Sequence, residues 1–154
     1  MKKKQVSYLP LLVILALIFG WQLYLLGVKY IKTSLTMAEF DLVVVAKKVE
    51  KGIDYTIDIV NGGPLDIGLA LMRIRLNKQD NQYIWFSSWN FQRDEDVVSS
   101  HTTKRINLFM ELPEEKFNEA IKAPQLVLFI TGLYEISDYG DLSFNRVLEV
   151  SISD

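Results

Sequence analysis

The chain has 154 residues, 49% of them hydrophobic, a net charge of −2 and no cysteine. That length fits one domain with room for little else, and the missing thiols exclude disulfides and a lipid-modified cysteine anchor. The apolar residues are concentrated at one end: Gln5 to Val28 is 24 residues without a charged side chain.

As a helix, that first stretch would reach roughly 36 Å, enough to cross a bilayer core. Leu11, Leu12, Val13, Ile14, Leu15, Ile18, Phe19, Trp21 and Leu25 would meet the lipid. Lys2, Lys3 and Lys4 precede it as in a secretory signal. A signal's apolar region, however, runs only about 7 to 15 residues before a small-residue cleavage site. Here the run continues to Lys29, so an uncleaved signal anchor is expected, with Trp21, Tyr24 and Tyr30 toward its outer interface. The lysine excess before the span predicts a single-pass cell-membrane protein, its N-terminus cytoplasmic and its C-terminal domain outside. Gly20 and Gly27 lie seven apart, on nearly one helix face, and would permit close approach of a partner helix.

Residues 1–36 therefore read as basic N-terminus, anchor and short joint, and residues 37–154 as the exported domain, with "TSLTMA" as the joint. After Met37, twelve basic residues face nineteen acidic ones, about −7. Such a surface repels phosphates and forgoes counterion release, so nucleic acid is excluded as a partner.

Period-two alternation then recurs. "FDLVVVAKKV" opens the series, and Ile53, Tyr55, Ile57 and Ile59 follow on one face opposite Asp54, Thr56 and Asp58. Asn61, Gly62, Gly63 and Pro64 form a turn, the glycines reaching torsions that other residues avoid. A phosphate cradle would need a helix start and a basic residue after it; "PLDIGLALM" is a strand. Ala70, Met72, Ile74 and Leu76 oppose Arg73 and Arg75, whereas Ile67, Leu69 and Leu71 take the other parity. That switch predicts a bulge or a passage between sheets. "YIWFSSWNF" is a fourth strand, and "KRINLFMEL" a fifth with Ile106, Leu108, Met110 and Leu112 on one side.

"PEEKFNEAIKA" reads as one short helix: Pro113 suits the first helical position, Glu114 and Glu115 the positive dipole end, and Phe117 and Ile121 fall four apart. "QLVLFITGLYEI" and "LSFNRVLEVSIS" follow as strands around the turn "SDYGD". The expected fold is all-β: an antiparallel immunoglobulin or fibronectin III-like β-sandwich of about seven strands with one short helix, preceded by a single transmembrane helix.

The order "YTIDIVNGGP", "LALMRIRL", "SSHTTKRINLFMEL", "PEEKFNEAI", "LVLFITG" and "LSFNRVLEVSI" resembles the WHy (water stress and hypersensitive response) domain of atypical late-embryogenesis-abundant proteins over about Phe40 to Ser153. In that family Asn and Pro are adjacent where Asn61 and Pro64 here are separated by two glycines. The resemblance implies a fibronectin-like fold and a stress-associated or scaffolding role without an established catalytic site.

Candidate chemistry is sparse. His101, the single histidine, adjoins Ser99 and Ser100, but neighbours in a chain do not make a triad. Asp94, Glu95 and Asp96 lack the alternating spacing of a calcium loop. Asp138 and Asp141 bracket a turn. Tyr83, Trp85, Trp89 and Phe91 share a parity and are expected first as bulky core residues of the sandwich, with a binding row as the alternative; Phe86 with Leu69 and Leu71 is a second patch. The reading is a non-enzymatic, cofactor-free, metal-free anchored sandwich. Its partners are the lipid bilayer and another membrane or envelope protein. The alternative is a fixed accessory subunit of a larger membrane complex.

Overall fold

The computed structural model describes residues 9–123, 125–136 and 140–150. The lysines at 2–4, the turn centre at 137–139 with Asp138, and the last residues of the closing strand lie outside the described residues. Helix α1 (Leu9–Ala38) carries the uncharged run from Leu9 to Val28, and its apolar side chains from Leu11 to Leu26 are exposed. It is long and apolar enough to cross a membrane. The expected joint is not one. "TSLTMA" continues the helix, and β1 (Phe40–Val49) begins two residues after it ends, so the boundary at residue 36 falls inside α1.

β1 pairs antiparallel with β2 (Gly52–Asn61), and β2 with β6 (Thr102–Glu111), giving a three-stranded sheet in the order β1-β2-β6. The second sheet runs β4-β3-β7-β8, from β4 (Tyr83–Asn90) through β3 (Ile67–Lys78) and β7 (Leu126–Ile136) to β8 (Gly140–Val150). The short β5 (Val97–Val98) pairs with β3 beyond the end of β4 and makes eight strands among the described residues, one more than expected. Helix α2 (Glu114–Lys122) connects β6 to β7 across the end of the sheets farthest from α1 and packs against β4. Pro113 is its N-cap, one position earlier than expected; Glu114 and Glu115 occupy the first turn, as the dipole favours.

The inner faces follow the alternation. Ile53, Tyr55, Ile57 and Ile59 are buried against Met72, Ile74, Leu76, Leu128 and Ile130 of the other sheet, and Ile106, Leu108 and Met110 join them from β6. Each fully buried side chain of this size contributes about 1.5–3 kcal/mol, so this apolar layer holds the sheets together. Arg146 adds a polar tie, its guanidinium donating to the Phe40 carbonyl at 2.9 Å.

Two bulges set which side chains face inward. The β3–β7 register shifts between Leu69 and Leu71, and the spare carbonyl of Ala70 accepts from the Phe91 amide at 3.0 Å. This is the bulge that the parity switch predicted; β3 stays in one sheet throughout. The β3–β4 register shifts between Leu76 and Asn77, with Asn77 opposite Tyr83 and Leu76 opposite Trp85, so Ile84 is the extra residue. β7 runs through Gly132 to Ile136, as its sequence pattern predicts, and Phe144 lies against that glycine where a Cβ would stand.

Candidate binding face and helix junction

The extra residue at Ile84 overturns the four-aromatic row. Tyr83 is exposed and Ile84 fully buried, while Trp85, Trp89 and Phe91 turn inward and pack on the core. Sequence parity put four rings on one face; the bulge sends Tyr83 to the other. The second patch is split as well: Leu69 is buried, whereas Phe86 is 58% exposed and Leu71 lies on the same outer face.

That outer face of the five-stranded sheet is built in rows by strand pairing. One row reads Phe86, Arg75, Phe129 and Val147; the next reads Ser88, Arg73, Thr131 and Asn145; the third reads Asn90, Leu71, Leu133 and Ser143. No carboxylate occurs in these rows. The Arg75 guanidinium sits 4.3 Å from the Phe129 ring centroid, a stacking that fixes it over the sheet. Neither Arg73 nor Arg75 forms an ion pair among the described residues. Two shallow depressions of about 520 and 420 Å³ flank Arg73, one floored by Phe86 and Phe129, the other by Leu71 and Leu133.

On the outer face of the three-stranded sheet, which also exposes Val43, Val45 and Phe109, polar groups find partners within the sheet. Arg105 donates twice to the Asp58 carboxylate at 2.7 Å each, and Thr56 donates to Asn107 at 3.1 Å. The Arg105 hydrogen bonds hold the Asp58 carboxyl below its ordinary range. At the α2 end, a depression of about 540 Å³ contains Lys78 and Glu119, 2.7 Å apart, and Lys116 also reaches Glu119 at 2.9 Å. The charges there neutralise one another.

The turn after β2 receives the end of α1. Asn61 is fully buried; its amide donates to the carbonyls of Leu65, Val98 and Ser99 at 2.8, 3.1 and 3.2 Å, and its carbonyl accepts from the Gly63 amide at 3.1 Å. Thr36 is also fully buried, its hydroxyl donating to the Lys32 carbonyl at 3.0 Å and accepting from the Leu65 amide at 3.3 Å. A Cβ at residue 63 would overlap the Thr36 Cα and stand 2.7 Å from its Oγ1. Neither Gly62 nor Gly63 has a left-handed φ. The glycines are there for space, which corrects the torsional reason expected of them. Gly62 donates to the Glu39 carbonyl at 3.0 Å, closing the junction.

His101 belongs to the same end of the sandwich, with φ 55° and an exposed side chain, and only its backbone amide engages the turn, donating to the Gly63 carbonyl at 3.3 Å. No hydrogen bond joins its imidazole to Ser99 or Ser100 among the described residues. Asp96 is taken up by Lys104 at 3.1 Å and the Gln92 amide at 3.0 Å. Gly20 and Gly27 have open space around them.

No known protein family's profile matches the chain, nor does any curated protein sequence. Solved structures are similar in fold. The structural-genomics target SoR45 is 11% identical, with 74% of this chain and 87% of that one aligned at a TM-score of 0.55. A Bordetella pertussis protein assigned the name ApaA is 11% identical over 73% and 94%, at 0.52. A protein assigned to the late embryogenesis abundant group is 12% identical over 80% and 85%, at a TM-score of 0.38.

Proposed function

We propose that this chain is a non-enzymatic, membrane-anchored module of immunoglobulin or fibronectin III-like type. It acts by binding and scaffolding a protein or other envelope component outside the cytoplasmic membrane. The observation that carries this reading is an open, partly apolar sheet flank rigidly joined to a helix able to cross a bilayer. From Lys29 at the interface to Ala38, ten helical residues form a stalk of about 15 Å. Without a flexible joint, the stalk presents the flank at a set height and heading. The order of β2, β3, β6, α2, β7 and β8 supports a WHy-like, stress-associated assignment.

The second reading is a fixed accessory subunit, favoured by the same junction. Because Thr36 is locked against Gly63, a partner that grips α1 in the bilayer also sets the orientation of the sandwich.

The absence of cysteine makes a direct test simple. A Ser88→Cys variant in intact cells reacts with a membrane-impermeant maleimide, and with a photoactivatable maleimide it gives adducts to another protein. Labelling only after permeabilisation overturns the exported orientation. A Leu15→Cys variant forming the only adducts favours the accessory subunit, and no adduct at either site overturns both readings.

A further inference from the structure

Two arginines side by side on an acidic domain, with no ion-pair partner among the described residues, need a reason. With twelve basic residues against nineteen acidic ones beyond Met37, carboxylates are plentiful, and Asp58, Asp96, Glu119 and Glu135 each hold a cation. Arg73 and Arg75 hold none. They occupy alternate positions of β3, so their attachment points are about 7 Å apart along the strand. Apolar side chains flank them: Phe86, Phe129 and Val147 in one row, Leu133 in the row beyond Arg73. Phe86 and Val147 are more than half exposed.

Resting on the tethered-module reading above, we propose that the outer face of the five-stranded sheet docks an acidic protein segment, two of whose carboxylates meet Arg73 and Arg75 while apolar side chains cover Phe86, Val147 and Leu133. Charge complementarity selects the sign. An extended chain with acidic residues at alternate positions repeats at the same 7 Å or so as the two arginines, and each carboxylate can accept two parallel N–H bonds from a guanidinium. Arg75 is already held on Phe129, which lowers the entropy lost on docking.

Other anions fit less well. A phosphate polymer or an acidic glycan has no apolar groups for Val147 and Leu133, and a long polyanion would extend from this face onto the acidic remainder of the domain. Sugar stacking would use the tryptophans of β4, and Trp85 and Trp89 turn inward. Lipid headgroups are disfavoured by placement: α1 meets the sandwich at the strand ends, and the Arg75 row is the one farther from that end.

The test uses the full chain in nanodiscs of zwitterionic lipid and a fluorescent nine-residue Glu/Leu peptide, Ser-Leu-Ser-Glu-Ser-Glu-Ser-Leu-Ser, whose glutamates and leucines fall on one face of an extended chain. Binding is expected to weaken at least tenfold in Arg73→Glu/Arg75→Glu and to weaken with added salt. A Lys/Leu peptide is expected to gain at least tenfold on that reversed variant, a swap that a merely unfolded protein cannot produce. Absence of Glu/Leu binding, or equal binding of both peptides, overturns the proposal. So does polyglutamate or dextran sulfate binding as tightly as Glu/Leu, or anionic vesicles competing it away. If the Ser88→Cys adducts persist in Arg73→Glu/Arg75→Glu, the charge recognition fails and the tethered module stands. If Ser88→Cys gives no adducts even with both arginines intact, the tethered module fails first.

Discussion

The helix junction and the outer face of the five-stranded sheet use polar groups in opposite ways. At the junction one buried amide, Asn61, makes four hydrogen bonds and the adjoining glycine has no room for a methyl group. On the outer face two guanidinium groups stand without an ion pair among the described residues, above a partly apolar surface. A saturated region transmits position, since moving any part breaks several bonds. An unsaturated one keeps its interaction capacity for something outside the chain.

Breaking the saturated region gives the largest expected effect. Asn61→Ala leaves the Leu65 and Val98 carbonyls and the Gly63 amide short of a partner, while the Ser99 carbonyl keeps its bonds from Thr102; each buried group left so costs about 1–3 kcal/mol. Partial relaxation toward water brings the expected loss to about 2–4 kcal/mol, read from chemical denaturation of the full chain in detergent. Asn61→Asp is the sharper probe. It keeps the acceptor for Gly63 but aims a carboxylate at three carbonyl oxygens, so it is expected to be no better than Asn61→Ala. A near-neutral Asn61→Asp would show that the three donated bonds do little.

Gly63→Ala comes next. Overpacking of this kind costs about 1–3 kcal/mol, but the strain can be relieved by moving the end of α1 and leaving the sandwich intact. The expected signature is therefore local: faster tryptic cleavage after Lys32, with a smaller change in the global unfolding midpoint. Unchanged cleavage would mean that the turn gives way instead of the helix, and the rigid stalk would lose its basis.

How much of this was legible in the sequence follows from where each constraint originates. The inner faces of β2 and β6 were readable because alternation is local, and Ile53 to Ile59 and Ile106 to Met110 stand where the period puts them. The break in β3 was readable for the same reason. The face of Tyr83 was not, since the bulge at Ile84 is defined only by which residue opposes Leu76 on another strand. The role of Gly63 was hidden because Thr36, which fills its space, is 27 residues away in the chain. The stalk was misread as a joint because Ser and Thr are weak helix formers. Thr33 and Thr36 instead bond back to the carbonyls of Lys29 and Lys32, and Thr36 is then held by the turn. The open face combines both cases: alternation showed Arg73 and Arg75 pointing away from the core, but only the pairing of β3 with β7 sets Arg75 beside Phe129.

The smallest effects belong to the unsaturated region, and their smallness is the point. Arg75→Ala removes the stacking on Phe129, worth about 0.5–1 kcal/mol at an exposed site. Arg73→Ala removes a charge with no ion-pair partner among the described residues, so its effect on stability is expected within about 0.5 kcal/mol of zero. In an acidic domain, loss of an arginine that served general charge balance would destabilise at low salt and recover as salt is added. A side chain kept for an external carboxylate shows no such recovery, because there is no loss to recover. Denaturation of Arg73→Ala at low and high salt separates the two. A loss above 1 kcal/mol that salt removes would make Arg73 a structural cation, and the difference between the two regions would then be one of degree.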